Sequence, residues 1–268
     1  MNCLPEELRP PPRKTLLLIG QDMHILNPFF HRAVEERDSR ALAAMAVRQA
    51  EAGADALDLN LGPAGKDSGL LAWAVETALA AAELPLFAAA QILAQPELLR
   101  QHGEQLTVNA VTADPASLPA CMVLARDCGA GLAVLLTKPG LSGCSADERL
   151  LLAAEVLETA EKSGLPLSRL HLDPILRPGP HGQADLEPVL DWLLHLPLLK
   201  MDKTRSLAAL SSASAFLPAA KRPGCHQRLL PLLAEAGLGA VILNCKDRRL
   251  MEIARSSGGL RRRAEVCQ

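Results

Sequence analysis

Eight short apolar runs alternate with eight helical patterns along this chain, and that alternation restricts the fold more than any other feature. The runs are Thr15–Gly20, Ala56–Leu61, Leu84–Ala90, Leu106–Thr112, Gly131–Thr137, Arg169–Ile175, Ser206–Ser211 and Ala240–Cys245. The helical patterns fall near 38–52, 68–83, 96–102, 115–127, 146–163, 184–195, 225–237 and 248–256. Nearly continuous apolar strands, with amphipathic helices between them and no hairpin signal such as Asn-Gly, imply a parallel sheet covered by helices. Eight such units in 268 residues fit a closed (β/α)8 (TIM) barrel better than an open doubly wound sheet. The seventh strand is ambiguous, because Leu196–Met201 is locally more strand-like than Ser206–Ser211. No composition shift divides the chain, so a single domain over 15–258 is expected, with an extension at 1–14 and a basic tail at 259–268. The loops Gln21–Phe30 and Arg177–Gln183 are the long ones, and both are expected at the mouth.

Composition narrows the partners. Apolar residues make up 49% of the chain, but there are only four Phe, two Trp and no Tyr, so the core is aliphatic. A stacking platform for single-stranded nucleic acid needs aromatics this chain lacks. A net charge of −2 supplies no basic field for DNA or RNA, and Arg261–Arg263 reads as a solvated terminus. The seven cysteines form no CxxC pair, and their odd number argues against a disulfide framework. The first residues are too acidic and proline-rich for a signal peptide, and no apolar run reaches membrane-spanning length. The expectation is a reduced, cytoplasmic protein.

Function should lie at the C-terminal ends of the strands, where barrel chemistry sits. The segment Gln49–Pro63 shows the joint most clearly. A helix with Ala44, Ala46, Ala50 and Ala54 is closed by Gly53 as a C-cap, and a strand then ends in Asn60-Leu-Gly-Pro63. The other strand ends contribute Gln21 and Asp22, Asp58, Gln91, Asn109 and Thr112, Thr137 and Lys138, Asp173, Ser211 and Ser212, and Asn244. Carboxylates and carboxamides dominate, with no Cys–His ligand set, so no metal is expected on this chain. Such a rim suits a neutral, donor-rich heterocycle, since Asp accepts hydrogen bonds and Asn does both. A phosphate site would want glycine-rich turns, and no GxGxxG or P-loop pattern occurs. Asp173, in Leu170-His171-Leu172-Asp173-Pro174, closes an apolar strand and must be paired or functional. The residue types leave two readings open for each side chain. Asp173 either binds a ligand or bonds loop amides or a Lys; Asp58 and Asn109 divide the same way.

The wording of Ala56–Pro63 (ALDLNLGP) resembles the pterin-binding barrels of the methyltetrahydrofolate:corrinoid methyltransferases. The resemblance runs from about Leu16 to Ile253 and is dense at 31–63 and 169–178. It implies a pterin site in which Asp173 and Asn109 hold the ring, joined at the rim by Asp58, Gln21, Gln91 and Asn244. It implies transfer of the N5-methyl group of 5-methyltetrahydrofolate to cobalamin carried by a corrinoid partner protein, with Ser212 and Asn60 in the network near N5, and a homodimer. It also places strand seven after a Lys-Thr pair, matched by Lys203-Thr204. Dihydropteroate synthases share the barrel. Their signatures are missing: no Asn-Val-Thr-Pro after strand one, no Ser-Arg-Lys after strand seven, no Arg-x-His after strand eight.

Several positions depart from the methyltransferase pattern. The Asp-Ser pair that ends the family's third strand aligns with Ala89-Ala90, and the strand-seven asparagine aligns with Ser212. Glu-Arg-Ile-Asn after strand one is replaced by Gln21-Asp22-Met23-His24. Losing one charged acceptor costs about 1.5–3 kcal/mol, or roughly ten- to a hundredfold in affinity. Three outcomes remain: methyltetrahydrofolate still binds, with Gln91, Asp22 or water replacing the acceptor; the barrel serves another methyl donor or acceptor; or it is a catalytically weak paralogue acting as a binding partner in a corrinoid system. In the last case Met23, Phe29 or Phe30 could plug the mouth. His24 is either a catalytic newcomer there or a solvated loop residue.

Overall fold

The computed structural model describes residues 16–142, 145–178, 185–199 and 204–256. Eight strands form one closed parallel barrel in sequence order. They are β1 (Leu17–His24), β2 (Ala56–Asn60), β3 (Leu86–Ala88), β4 (Leu106–Thr112), β5 (Gly131–Leu135), β6 (Leu170–Asp173), β7 (Arg205–Ala209) and β8 (Ala240–Leu243). The ring closes where Leu17 pairs with Ala240 and Gly20 with Leu243. Helices alternate with the strands: α1 (Pro28–Glu35), α2 (Ser39–Glu51), α3 (Ser68–Ala82), α4 (Pro96–His102), α5 (Leu118–Asp127), α6 (Ala146–Ser163), α7 (Glu187–His195), α8 (Leu210–Ala213) and α9 (Arg222–Ala236). A further helix covers 248–256. The expected single-domain (β/α)8 barrel is what forms.

The local signals explain the boundaries. Asp38 caps α2 by accepting from the Ala41 N–H, and Gly53 follows the helix at φ 92°, a conformation open to glycine. Ser145 and Glu148 form a capping box at the start of α6. One expectation is corrected. Gln21–Phe30 is not a long loop: β1 continues to His24, and α1 begins at Pro28 behind an Asn27 cap. The ambiguity at strand seven resolves in favour of the Ser206–Ser211 run: β7 lies at Arg205–Ala209, and Leu196–Leu199 is a 3-10 turn. Thr15, the 1–14 extension, the 259–268 tail, Lys203 and residues 179–183 lie outside the described residues.

The core has two layers. Ile19, Ala56, Phe87, Ala133, Leu207, Ala240 and Ile242 fill the inside of the barrel, with Leu17, Ala110 and Ala209 packed against them. The residues one step out of phase, such as Leu18, Leu57, Leu59, Val108, Leu132, Leu172, Val241 and Leu243, join the helices in the larger outer core. Where pairing is regular, period-two alternation therefore assigns each strand residue a direction. Met23 and Phe30 are buried in that outer core and Phe29 is exposed, so none of the three plugs the mouth.

Candidate functional site

The inward phase carries the polar strand ends toward the mouth. Asp58 and Asn60 follow Ala56 on β2, Asn244 follows Ile242 past β8, and Asp173 follows His171 on β6. His171 is inside because it meets the Phe87 ring from across the barrel, edge-on, at a centroid separation of 5.2 Å. Two strands break the alternation. β1 shifts register between Gly20 and Met23, and β4 between Val108 and Val111, so each inserts one extra residue. Bulges of this kind re-aim side chains beside functional sites. Here they fall on Gln21-Asp22 and Asn109-Ala110.

Asn109 and Asp58 meet inside the ring. Asn109 Nδ2 donates to Asp58 Oδ1 at 2.9 Å, bridging β4 and β2 across β3. Asp58 is buried, and burial pushes its carboxyl up to about 6 against the stabilising amide of Asn109. Because the amide N–H is committed to Asp58, the carbonyl oxygen of Asn109 is turned away from it, available as an acceptor. Asp173 is equally buried and is also raised to about 6 by desolvation. The Ile175 N–H, donating to Asp173 Oδ1 at 2.7 Å, and the Arg149 guanidinium pull in the opposite direction. Two desolvated carboxylates and one oriented carboxamide thus stand at the C-terminal ends of strands in one ring.

The other expected residues are more committed. Asn60 Oδ1 accepts from the Gly62 N–H at 2.8 Å and Asn244 Oδ1 from the Lys246 N–H at 3.0 Å, so each shapes its own turn. Gln91 Nε2 donates to the Gly62 carbonyl at 3.3 Å. Asp22 is ion-paired with Lys246 at 2.5 Å, and its N–H donates to Gln49 Oε1 on α2. Asp22 is therefore occupied rather than open to a ligand. His24 Nδ1 accepts from the Leu26 N–H, and burial lowers its pKa, which leaves a neutral ring tied to its own loop. Lys138 pairs with Glu155 of α6. Gln21 differs: its buried Oε1 finds no hydrogen-bond donor among the described residues. Ser212 is half-buried on α8, the one-turn helix after β7, and Ser211 beside it is exposed. Ala89, the residue just past β3, is small and buried.

Arg149 went unread in the sequence although a signal exists. It lies on the apolar face of α6 with Leu152, Ala153, Val156 and Ala160, and is fully buried. Its Nε donates to the Pro174 carbonyl at 2.8 Å, which fixes the turn next to Asp173. A lone arginine in helical phase with leucines marks a cation that must meet a partner in the interior. Cys121, Cys128, Cys225 and Cys245 are free thiols. Burial raises all four, Cys245 to about 12, so none is poised as a thiolate nucleophile. Among the described residues no His, Cys, Asp and Glu group is placed to hold a metal ion, and no helix is long and apolar enough to cross a membrane. A groove of about 550 Å³ between α1 and α2, walled by Phe29, Met45, Arg48 and Lys246, touches none of the inward strand ends.

No model of a known protein family matches the sequence. Solved structures do share its shape. Dihydropteroate synthase from Xanthomonas albilineans with 4-aminobenzoic acid superposes with a TM-score of 0.66 at 20% identity, over 92% of this chain and 93% of that one. The same enzyme with 7,8-dihydropteroate gives 0.63 at 18%, with the same coverage. Dihydropteroate synthase from Coxiella burnetii with pteroic acid gives 0.64 at 14%, again over 92% and 93%. At these identities the likeness speaks for the backbone, and the chain has the (β/α)8 barrel fold found in the dihydropteroate synthases.

Proposed function

We propose that the barrel mouth binds a reduced pterin and that the protein moves the N5-methyl group of 5-methyltetrahydrofolate to the cobalt of a corrinoid carried by a partner protein. The observation that supports this most directly is the pair of desolvated carboxylates, Asp58 and Asp173, with Asn109 held between strands by the first of them. Ionisable groups kept dry in a barrel mouth are poor choices for stability and good ones for a ligand rich in N–H donors. Pteridine compounds occupy two of the solved barrels of this shape, as 7,8-dihydropteroate and pteroic acid. The ALDLNLGP, Asn109 and Leu-His-Leu-Asp173-Pro motifs favour the methyltransferase branch over synthase chemistry.

In this reading Asp173 accepts from the ring N–H and amino groups, and Asn109 accepts through its free carbonyl oxygen. Asp58 positions Asn109 rather than touching the ring. Gln21 Oε1 takes the acceptor role that Ala89 vacates, since Asp22 is paired with Lys246. The leaving group is an amine, so N5 must gain a proton or a strong hydrogen bond as its bond to carbon breaks. Ser212, Asn60 and ordered water supply that donor network. The methyl carbon then takes the electron pair of cob(I)alamin, N5 keeps its own pair, and the enzyme's part is orientation at the mouth. A second reading draws on Ala89-Ala90: without the strand-three carboxylate, the barrel serves a different methyl donor, or binds a corrinoid system without turning over.

Calorimetric titration with 5-methyltetrahydrofolate tests the site. Wild type should bind in the micromolar to millimolar range, and Asp173→Ala should weaken binding by about ten- to a hundredfold. Absence of heat at millimolar ligand would remove the pterin reading.

A further inference from the structure

Behind the mouth at β7 lies a buried polar pair with no place in the chemistry so far. Ser214, 1% exposed, and His226 on α9, 5% exposed, approach within 2.8 Å through Ser214 Oγ and His226 Nε2. The same imidazole hydrogen-bonds the Leu210 carbonyl. Between these two anchors runs α8, the single turn Leu210–Ala213, which carries Ser212. One ring therefore spans the turn end to end, gripping the carbonyl of its first residue and the hydroxyl just beyond its last. A turn this short has too few hydrogen bonds of its own to hold its shape.

The proton inventory fixes the direction of each bond. Burial lowers the pKa of His226, so the ring is neutral and carries one proton. The Leu210 carbonyl can only accept, which assigns that proton to Nδ1, since Nε2 faces Ser214. Nε2 is then the acceptor for the Ser214 hydroxyl. The carbonyl of Ser211, at 3.3 Å, is a longer and weaker alternative for that hydroxyl. Asp247, which accepts from Gln227, raises the ring's proton affinity, and Arg222 on the same helix lowers it.

We propose that His226 is a positioning residue for the methyl transfer: by bridging Leu210 and Ser214 it fixes the turn that presents the Ser212 hydroxyl to the mouth. The proposal rests on the pterin methyl-transfer reading, which is what gives Ser212 a task.

A double-mutant cycle on Ser212 and Ser214, in the full-length protein with a corrinoid protein as acceptor, tests it. Ser214→Ala should lower kcat about tenfold and leave KM for methyltetrahydrofolate nearly unchanged, because the ring is held elsewhere. Ser212→Ala combined with Ser214→Ala should be no slower than Ser212→Ala alone. His226→Asn, which keeps an N–H for the Leu210 carbonyl, should retain activity that His226→Leu loses. Losses that multiply independently would show that the pair supports the fold and not Ser212, and would overturn the proposal. So would a nitrogen NMR spectrum of wild type with the neutral His226 proton on Nε2. If wild type neither binds methyltetrahydrofolate nor transfers its methyl group, the proposal falls with the functional reading, and an Nδ1-protonated ring in that spectrum would place the fault in the reaction, not in the bridge.

Discussion

Asp58 and Asp173 sit where a carboxylate is expensive, and the expense has a sign that can be measured. Each has a folded-state pKa of about 6 against an ordinary 3.8, so the folded protein binds more protons than the unfolded chain between those values. Stability therefore falls as pH rises through that window, by at most about 3 kcal/mol per group, and the loss is complete above about pH 6. Asp173→Asn keeps an oxygen for the Ile175 N–H and removes the charge. It should raise the melting temperature at pH 8, leave it nearly unchanged at pH 4, and weaken pterin binding. Thermal melts at the two pH values check this, and equal shifts at both would refute the desolvation account. Ala89→Asp makes the opposite exchange. In a working pterin site the restored carboxylate should tighten methyltetrahydrofolate binding by about ten- to a hundredfold. Unchanged affinity in the same titration would point to a different ring in the mouth.

At the scale of elements, the site depends on two strands that depart from regular pairing. The β1 bulge brings the Asp22 N–H onto Gln49 of α2, and Gly20 makes room for that contact. A Cβ at Gly20 would stand 2.4 Å from Gln49 Oε1, so Gly20→Ala must push the amide off Asp22. The expected cost is about 1–3 kcal/mol from strain and a lost part-buried bond. Urea unfolding would measure it, and Gln49→Ala in the same background should recover part of the loss. The β4 bulge matters differently, because it sets Asn109 against Asp58. Strand content and order were readable from alternation. The bulges were not, since one extra residue leaves an apolar pattern almost unaltered. The first loop was misjudged for a related reason: Asp22 and His24 look like loop residues until partners outside the strand absorb their polarity.

For the whole molecule, closure of β1 on β8 is what brings strand ends from positions 21 to 244 to the same end of one ring. The homodimer implied by the resemblance predicts sedimentation at twice 28.5 kDa, and a species that stays at 28.5 kDa across concentration would rule it out. Repeated helix–strand periods, with Gly53, Asp38 and Ser145 at the joints, determined the barrel by themselves, because helix caps and period-two patterns are local and act before the chain collapses. The inward phase of Asp58 followed from the same periods, whereas Asp173 was marked by its place at a strand end and Asn109 by the resemblance. Which polar groups satisfy one another was decided only in three dimensions. The Asp58–Asn109 bond spans 51 residues, the Asp22–Lys246 pair joins opposite ends of the chain, and Arg149 reaches the Asp173 turn from a helix. A buried donor takes whatever acceptor the closed ring brings within about 3 Å, and sequence spacing carries no record of that distance.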